Sequence, residues 1–498
     1  MKKITLTLLL VAGFLSAFSQ ERYREDWDQI ATKYEIPEWF KDAKFGIFIH
    51  WGVYSVPAYG SEWYARNMYI DENSSTSYHG NKGKQGPSDV YLHHVKTYGH
   101  PSEFGYKDFI PQFKAELFDA GEWLDIFEKS GAKYIVPVAE HHDAFAMYNS
   151  SYTIWNSVDM GPKRDIVGEL QKETAKRGMK FGVSSHLAFN QDFFTKKPEL
   201  GNTAPKFEQL YGPVMKSSNE APTEEFKDMW MKRTTELIDN YQPDILWFDF
   251  GWDRPEYAPE HLKLTSYYYN KGLDWNKEVV LQGKNHKFES LRRGSFLFDM
   301  ERSKSAKIRD FFWQTDTSIG KNSWGYVSNW ESKETNTLID DLVDIVSKNG
   351  SMLLNVGPKS DGTIPYDQQK VLLEMGDWLK VNGEAIYGSR PFSIYGEGPT
   401  KIVEGHLSEG NNKDLGSEDI RYTMQGEQLY AFLMEWPKSN EILIKTLAKG
   451  NPNYTAKINT ITMMGSDETI KFKQTKAGLK VILPSYRPCN FAYGLKIN

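Results

Sequence analysis

The sequence predicts an α/β fold: a (β/α)8-like barrel followed by a C-terminal antiparallel β-sandwich. Three observations carry this. From Phe45 to about Ile386, short apolar runs alternate with amphipathic stretches, the pattern of a parallel sheet covered by helices. Polar residues recur where the runs end: His50, His141, His142, His186, Asp249 and Glu301. In barrels the C-terminal ends of the strands carry the active site. After Gly388-Ser389-Arg390-Pro391 the alternation changes to period two, the spacing of half-buried strands. No Gly-x-Gly-x-x-Gly follows the first run, which counts against a dinucleotide-binding open sheet.

In chain order, residues 1–19 read as a signal peptide. Lys2 and Lys3 give a basic start, Ile4 to Phe14 an apolar stretch, and Ala17 and Ser19 a small-residue cleavage pattern. Export to the periplasm or the extracellular space is expected, without a membrane anchor. Residues 20–388 form the expected barrel domain. Its strand candidates are Phe45 to Ile49, Tyr134 to Val138, Lys180 to Ser185, Asp244 to Phe248, Glu278 to Gln282, Ser295 to Met300 and Met352 to Val356. Its helix candidates are 121–131, 165–178, 225–241, 337–348 and 366–381. Residues 71–107 read as a long polar insertion, and its histidines, His79, His93, His94 and His100, as solvated loop residues. Residues 389–498 form the expected sandwich. There Ile420 to Met424 and Leu429 to Met434 flank Gln425-Gly426-Glu427-Gln428, a hairpin signal.

Composition narrows the function. The chain has 498 residues, enough for one large and one smaller domain. Its one cysteine, Cys489, permits no intrachain disulfide and no thiolate zinc site. Net charge is −6, and no basic stripe stands out, so nucleic acid is not an expected partner. Aromatic residues make up 14% of the chain, which suits stacking on the apolar faces of sugars as well as a large aromatic core.

The most informative stretch is Asp244 to Asp253, DILWFDFGWD. Side chains alternate along a strand, so Trp247 and Asp249 share a side. A carboxylate at the tip of a buried strand, beside an indole, is placed for sugar chemistry. The alternative is that Asp249 caps the next segment or pairs with Arg254.

Several stretches jointly resemble the α-L-fucosidases of glycoside hydrolase family 29. They are Lys44-Phe45-Gly46-Ile47-Phe48-Ile49-His50-Trp51-Gly52, Ser61-Glu62-Trp63-Tyr64, His141-His142-Asp143, Gly161-Pro162-Lys163-Arg164-Asp165, Leu246-Trp247-Phe248-Asp249, Ser323-Trp324-Gly325-Tyr326 and Leu353-Leu354-Asn355-Val356-Gly357-Pro358. The resemblance implies hydrolysis of terminal α-linked L-fucose on fucosylated glycans, with retention, through two carboxyl groups about 5 Å apart. It makes Asp249 the nucleophile. It implies a fucose pocket of His50, Glu62, Trp63, His141, His142 and Trp247, with His186 and Trp324 as further candidates. The segment around Glu301 resembles the one that carries the general acid, which implies Glu301 in that role, with Glu289, Asp299 and Glu256 as rivals and a salt bridge to Arg302 or Arg309 as the structural alternative. No cofactor is implied, since two carboxyl groups and water suffice. No metal is expected at the histidine pair. Glu140, Ala144 and Phe250 depart from the family pattern, so the pocket rim is expected to differ. A related α-L-galactosidase-type activity, or a non-catalytic glycan-binding protein on the same fold, is the alternative. A homo-oligomer is compatible with the sequence.

Overall fold

The computed structural model describes residues 21–74, 86–215, 220–284 and 292–498. The expected signal peptide, His79 and Glu289 lie outside them. Eight parallel strands close into a barrel in chain order: β1 (Phe45–Ile49), β2 (Tyr134–Glu140), β3 (Lys180–Ser185), β4 (Ile245–Phe248), β5 (Val280–Gly283), β6 (Leu297–Asp299), β7 (Trp313–Ser318) and β8 (Gly350–Val356). β1 pairs with both β2 and β8, which completes the ring.

Local chemistry explains the elements. The helix Glu224–Tyr241 starts at Thr223, whose hydroxyl accepts from the Phe226 amide at 3.2 Å, and carries Glu224 and Glu225 in its first turn. It ends at Gln242, in the left-handed region, followed by Pro243. Asp119 and Asp165 cap the helices Ala120–Lys129 and Ile166–Lys176 in the same way. Gly46 is needed in β1 because any Cβ there would lie 2.2 Å from the Tyr134 ring.

Strand parity fixes the barrel interior. Phe48, Tyr134, Val136, Val138, Ile245, Trp247, Val280, Leu297 and Leu353 form a buried cluster, with Phe40 packed against them. A separate core lies between the strands and the surrounding helices. Two residues beyond each inward side chain, the next one points into the barrel mouth.

Four features differ from the sequence expectation. β7 is a full strand that hydropathy misses, because Gln314, Asp316 and Ser318 lie on it as buried polar residues. The helix Ala258–Asp274 is likewise unanticipated. No helix separates β6 from β7, so the strand–helix alternation is broken there. Within the insertion, Asp89–Tyr98 is a helix. Its His94 is fully buried between the Tyr64 hydroxyl and the Phe104 carbonyl, each 2.8 Å away, and is not a solvated loop residue. His93 stacks on Tyr59.

The C-terminal region holds two antiparallel sheets. β9 (Arg390–Glu397), β10 (Ile420–Gln425), β11 (Gln428–Leu433), β13 (Ile461–Met463) and β16 (Tyr493–Ile497) form one. β12 (Glu441–Ile444), β14 (Lys471–Gln474) and β15 (Leu479–Ile482) form the other. Both contribute to one apolar core that includes Tyr422, Ala431, Ile444, Val481 and Leu495. The expected hairpin is present, closed by Gly426 with φ 58°.

Candidate active site

The barrel mouth opens into a cavity of about 460 Å³, within the range of small-molecule sites. Strand parity delivers its wall. His50 follows Phe48 of β1, His186 follows Ser184 of β3, and Asp249 follows Trp247 of β4. Lys284 follows Gln282 of β5, Glu301 follows Asp299 of β6, and Asp316 lies on β7. Ser61, Glu62, Trp63, His141, Phe250, Ser323 and Trp324 line the cavity as well. A second cavity of about 540 Å³ lies at the N-terminal ends of β6 and β7, lined by Phe296 and Phe312, and holds no pair of carboxyl groups.

Asp249 is surrounded by four nitrogens. Oδ1 accepts from Lys284 Nζ at 3.0 Å and from the Phe250 amide at 2.8 Å. Oδ2 faces His142 Nε2 at 3.1 Å and His186 Nδ1 at 3.2 Å. Burial alone would raise this carboxyl, but Lys284 and the two imidazoles outweigh it and hold Asp249 well below the usual carboxylate range. It is not the partner of Arg254, which pairs with Asp192 and Glu256.

Lys284 is the centre of the charge array. Its Nζ also lies 2.9 Å from Glu301 Oε2 and 3.3 Å from Asp316 Oδ2. Burial works against the ammonium, but the three carboxyl groups outweigh it and keep Lys284 charged. Asp316 is buried against Asp299, which drives its carboxyl well above the ordinary range despite Lys284.

Burial pushes His50 and His141 well below the ordinary imidazole value, and His186 down to about 4. His50 Nδ1 lies 2.7 Å from Asn355 Oδ1. His142 does not line the cavity. It sits behind Asp249, its Nδ1 donating to the His186 carbonyl at 2.6 Å. Two histidine groups, His50 with His141 and His186, and His142 with His186 and Asp249, have donor atoms close enough for a metal. His186 Nε2 is engaged by Ser184 Oγ at 2.7 Å and His50 Nδ1 by Asn355, whereas His141 Nδ1 and His186 Nδ1 are buried without a hydrogen-bond partner. The unpartnered nitrogens can bond the hydroxyls of a polyol.

Glu62 braces the opposite wall. Its Oε2 accepts from Ser323 Oγ at 3.0 Å and the Trp324 amide at 2.9 Å. The indole of Trp324 lies 5.1 Å from the His50 ring, and that of Trp63 stacks on Phe250 at 6.1 Å.

Two of the rivals for the acid stand apart from the cavity, and the third, Glu289, lies outside the described residues. Asp299 lies beneath the cavity, bonded to Trp247 Nε1 and the Asp316 amide. Glu256 pairs with Arg254. Glu301 is not tied to Arg302 or Arg309, which pair with Glu409 and Glu404. Two of the three departures lie outside the pocket. Glu140 pairs with Arg233, and Ala144 offers its carbonyl to the same guanidinium. Phe250 does line it. Sequence reasoning missed Lys284, Asp316, Arg302, His406 and Leu407. Lys284 was within reach, two residues past Gln282 on the inward parity.

Comparisons agree on the family. Residues 11–384 match the family model described as Alpha-L-fucosidase, and 412–498 the Alpha-L-fucosidase C-terminal domain. The chain is 32% identical to the tissue alpha-L-fucosidase of Homo sapiens, over 98% of this chain and 96% of that protein. It is 31% identical to that of Rattus norvegicus, over 98% of this chain and 94% of the relative. The crystal structure of Thermotoga maritima alpha-fucosidase in complex with fucose superposes with a TM-score of 0.74 at 31% identity, covering 96% of this chain and 100% of that one. By sequence along nearly its whole length, and by shape, the chain belongs to the alpha-L-fucosidase family of glycoside hydrolases.

Proposed function

We propose that the chain removes terminal α-linked L-fucose from glycans with retention of configuration, Asp249 acting as nucleophile and Glu301 as acid and then base. One observation carries this. Asp249 Oδ1 lies 3.0 Å and Glu301 Oε2 2.9 Å from the same ammonium, so these oxygens are separated by no more than the sum, 5.9 Å. Retaining enzymes hold their carboxyl groups about 5–5.5 Å apart, and inverting ones about 6.5–9.5 Å.

In the first step Asp249 attacks the anomeric carbon while Glu301 gives its proton to the glycosidic oxygen, and that C–O bond breaks. Esterified Asp249 has lost its charge, which leaves Lys284 to Glu301. Glu301 then takes a proton from water, the hydroxide attacks the same carbon, and the ester bond breaks. His50, His141 and Glu62 supply hydrogen bonds for ring hydroxyls, and Trp63, Trp247 and Trp324 supply apolar faces for the ring and its methyl group. His142 and His186 hold the nucleophile. An inner end lined by buried His50, His141 and His186 supports action at chain ends over action within a chain. The Thermotoga maritima relative, 30% identical, has been solved with a mechanism based inhibitor, which supports the two-step route. Residues 1–19 support export, and among the described residues no helix is long and apolar enough to cross a membrane.

The test is the anomer released first and the response of Asp249→Gly. Proton NMR should show α-L-fucose first, and the variant should be inactive on 4-nitrophenyl α-L-fucoside until azide fills the vacated space and yields the β-azide. β-L-Fucose as first product, or a near-normal variant, overturns the reading.

A further inference from the structure

The connection from β6 to β7 has no helix to cover it, and the second domain fills the place. The link between β9 and β10 reaches back to the barrel mouth at Glu404–Glu409. The Leu407 amide donates to the Glu301 carbonyl at 3.2 Å, and the Glu409 amide to the Arg302 carbonyl at 2.8 Å. The Glu409 carboxylate accepts from Arg302 at 2.7 Å, Lys333 at 2.8 Å and the Thr317 hydroxyl at 2.6 Å. Glu404 accepts from the Ala306 amide at 2.8 Å and Arg309 at 2.6 Å. Two non-glycine residues at this junction hold left-handed backbone, Arg302 at φ 42° and Leu407 at φ 55°. Such conformations cost energy and persist where surroundings over-determine them.

This segment brings His406 and Leu407 into the cavity wall beside Glu301. The cavity is graded along its length. His50, His141, His186 and Trp247 at one end are buried, and Lys321, Asn322, His406 and Leu407 at the other are exposed, Leu407 by 42%. Glu301 stands between. An acid that protonates the glycosidic oxygen divides the site at that oxygen, with the sugar to be cleaved on the buried side and the leaving group on the exposed side.

We propose that the second domain, through His406 and Leu407, forms the leaving-group half of the site and recognises a second sugar residue there. This rests on the reading of Glu301 as the acid. Leu407 offers an apolar contact to a pyranose face. The imidazole of His406 stands on the same wall, and the amide of Asn322, held by the Asn329 carbonyl and the Glu331 amide, keeps a second N–H for a hydroxyl. The Glu409 anchor keeps both at fixed distance from the bond being cut. Substrates with a small aryl leaving group engage this wall least.

The test uses the full chain with Leu407→Ala and His406→Ala, both at the exposed rim. kcat/KM is measured for a fucosyl disaccharide and for 4-nitrophenyl α-L-fucoside. The disaccharide-to-aryl ratio should fall about tenfold in each variant, the scale of one lost packing or polar contact in a specificity pocket. A ratio that moves less than about twofold in both variants, below the tenfold that 1.4 kcal/mol represents, overturns the proposal. Glu301→Ala on the same pair separates the two readings. Equal slowing there moves the acid to another residue, while the Leu407 ratio still decides whether this wall holds the leaving group.

Discussion

Lys284 Nζ stands 3.0 Å from Asp249 Oδ1, and this pair sets the charge of the site. The ammonium is the strongest of the influences that keep Asp249 ionised against its burial. Lys284→Met should lower kcat/KM by about 10²-fold or more, the scale of removing one preorganised electrostatic partner. Without the cation Asp249 binds its proton more tightly, so the acid limb of the pH–rate profile should move to higher pH. An unmoved acid limb would show that Lys284 does not tune Asp249.

Glu301→Ala separates acid catalysis from binding. Rates on poor leaving groups should fall by about 10²–10⁴-fold, the usual worth of a positioned acid, and those on activated aryl fucosides far less. The comparison is kcat for a fucosyl disaccharide against kcat for 4-nitrophenyl α-L-fucoside. Parallel losses would exclude Glu301 as proton donor.

The buried histidines make stability pH-dependent. His94 and His186 are both pushed down to about 4 by burial. Unfolded histidine binds its proton near pH 6.5, so between about 4 and 6.5 the unfolded chain holds more protons. The stability these residues contribute is present above 6.5 and is lost as pH falls through about 4. Asp143, raised to about 6 by burial, acts in the opposite sense. Thermal midpoints from pH 7 to 4 should therefore fall less steeply for His94→Gln than for the parent chain. Equal slopes would contradict the assignment of His94 as a buried neutral group.

Glu140 and Arg233 form a buried ion pair at 2.6 Å, joined by Ser185 Oγ at 2.7 Å. Arg233→Met leaves an unpaired buried carboxylate and should cost about 3–5 kcal/mol. The double variant Glu140→Leu/Arg233→Met should recover part of the lost thermal midpoint, because breaking one partner is worse than removing both. A double variant less stable than Arg233→Met would sink this account.

Much of the architecture was legible because apolar runs such as Phe45 to Ile49 and Lys180 to Ser185 end in polar residues at regular places. β7 was not, since its buried Gln314 and Asp316 erase the apolar signature of a strand. The helix Ala258–Asp274 carries Tyr267, Tyr268 and Tyr269 among polar residues, a mixture that hides its buried stripe. Within the site, Asp249 and His50 follow from parity, and so would Lys284. His142 was misplaced because it lies beyond the end of β2, where alternation no longer decides direction. Arg302, His406 and Leu407 were invisible for another reason. Their placement depends on contacts more than 90 residues apart in sequence, such as Arg302 with Glu409.

Cys489 is the sole thiol of the chain. It packs against both the barrel core and the sandwich core, its sulfur 3.7 Å from Asn382 of the last barrel helix and 3.1 Å from the Phe491 carbonyl. Alkylation therefore has one target, and that target sits on the seam. Because that thiol is only half-buried, its labelling rate reads how exposed the seam is, without a reporter engineered into the molecule.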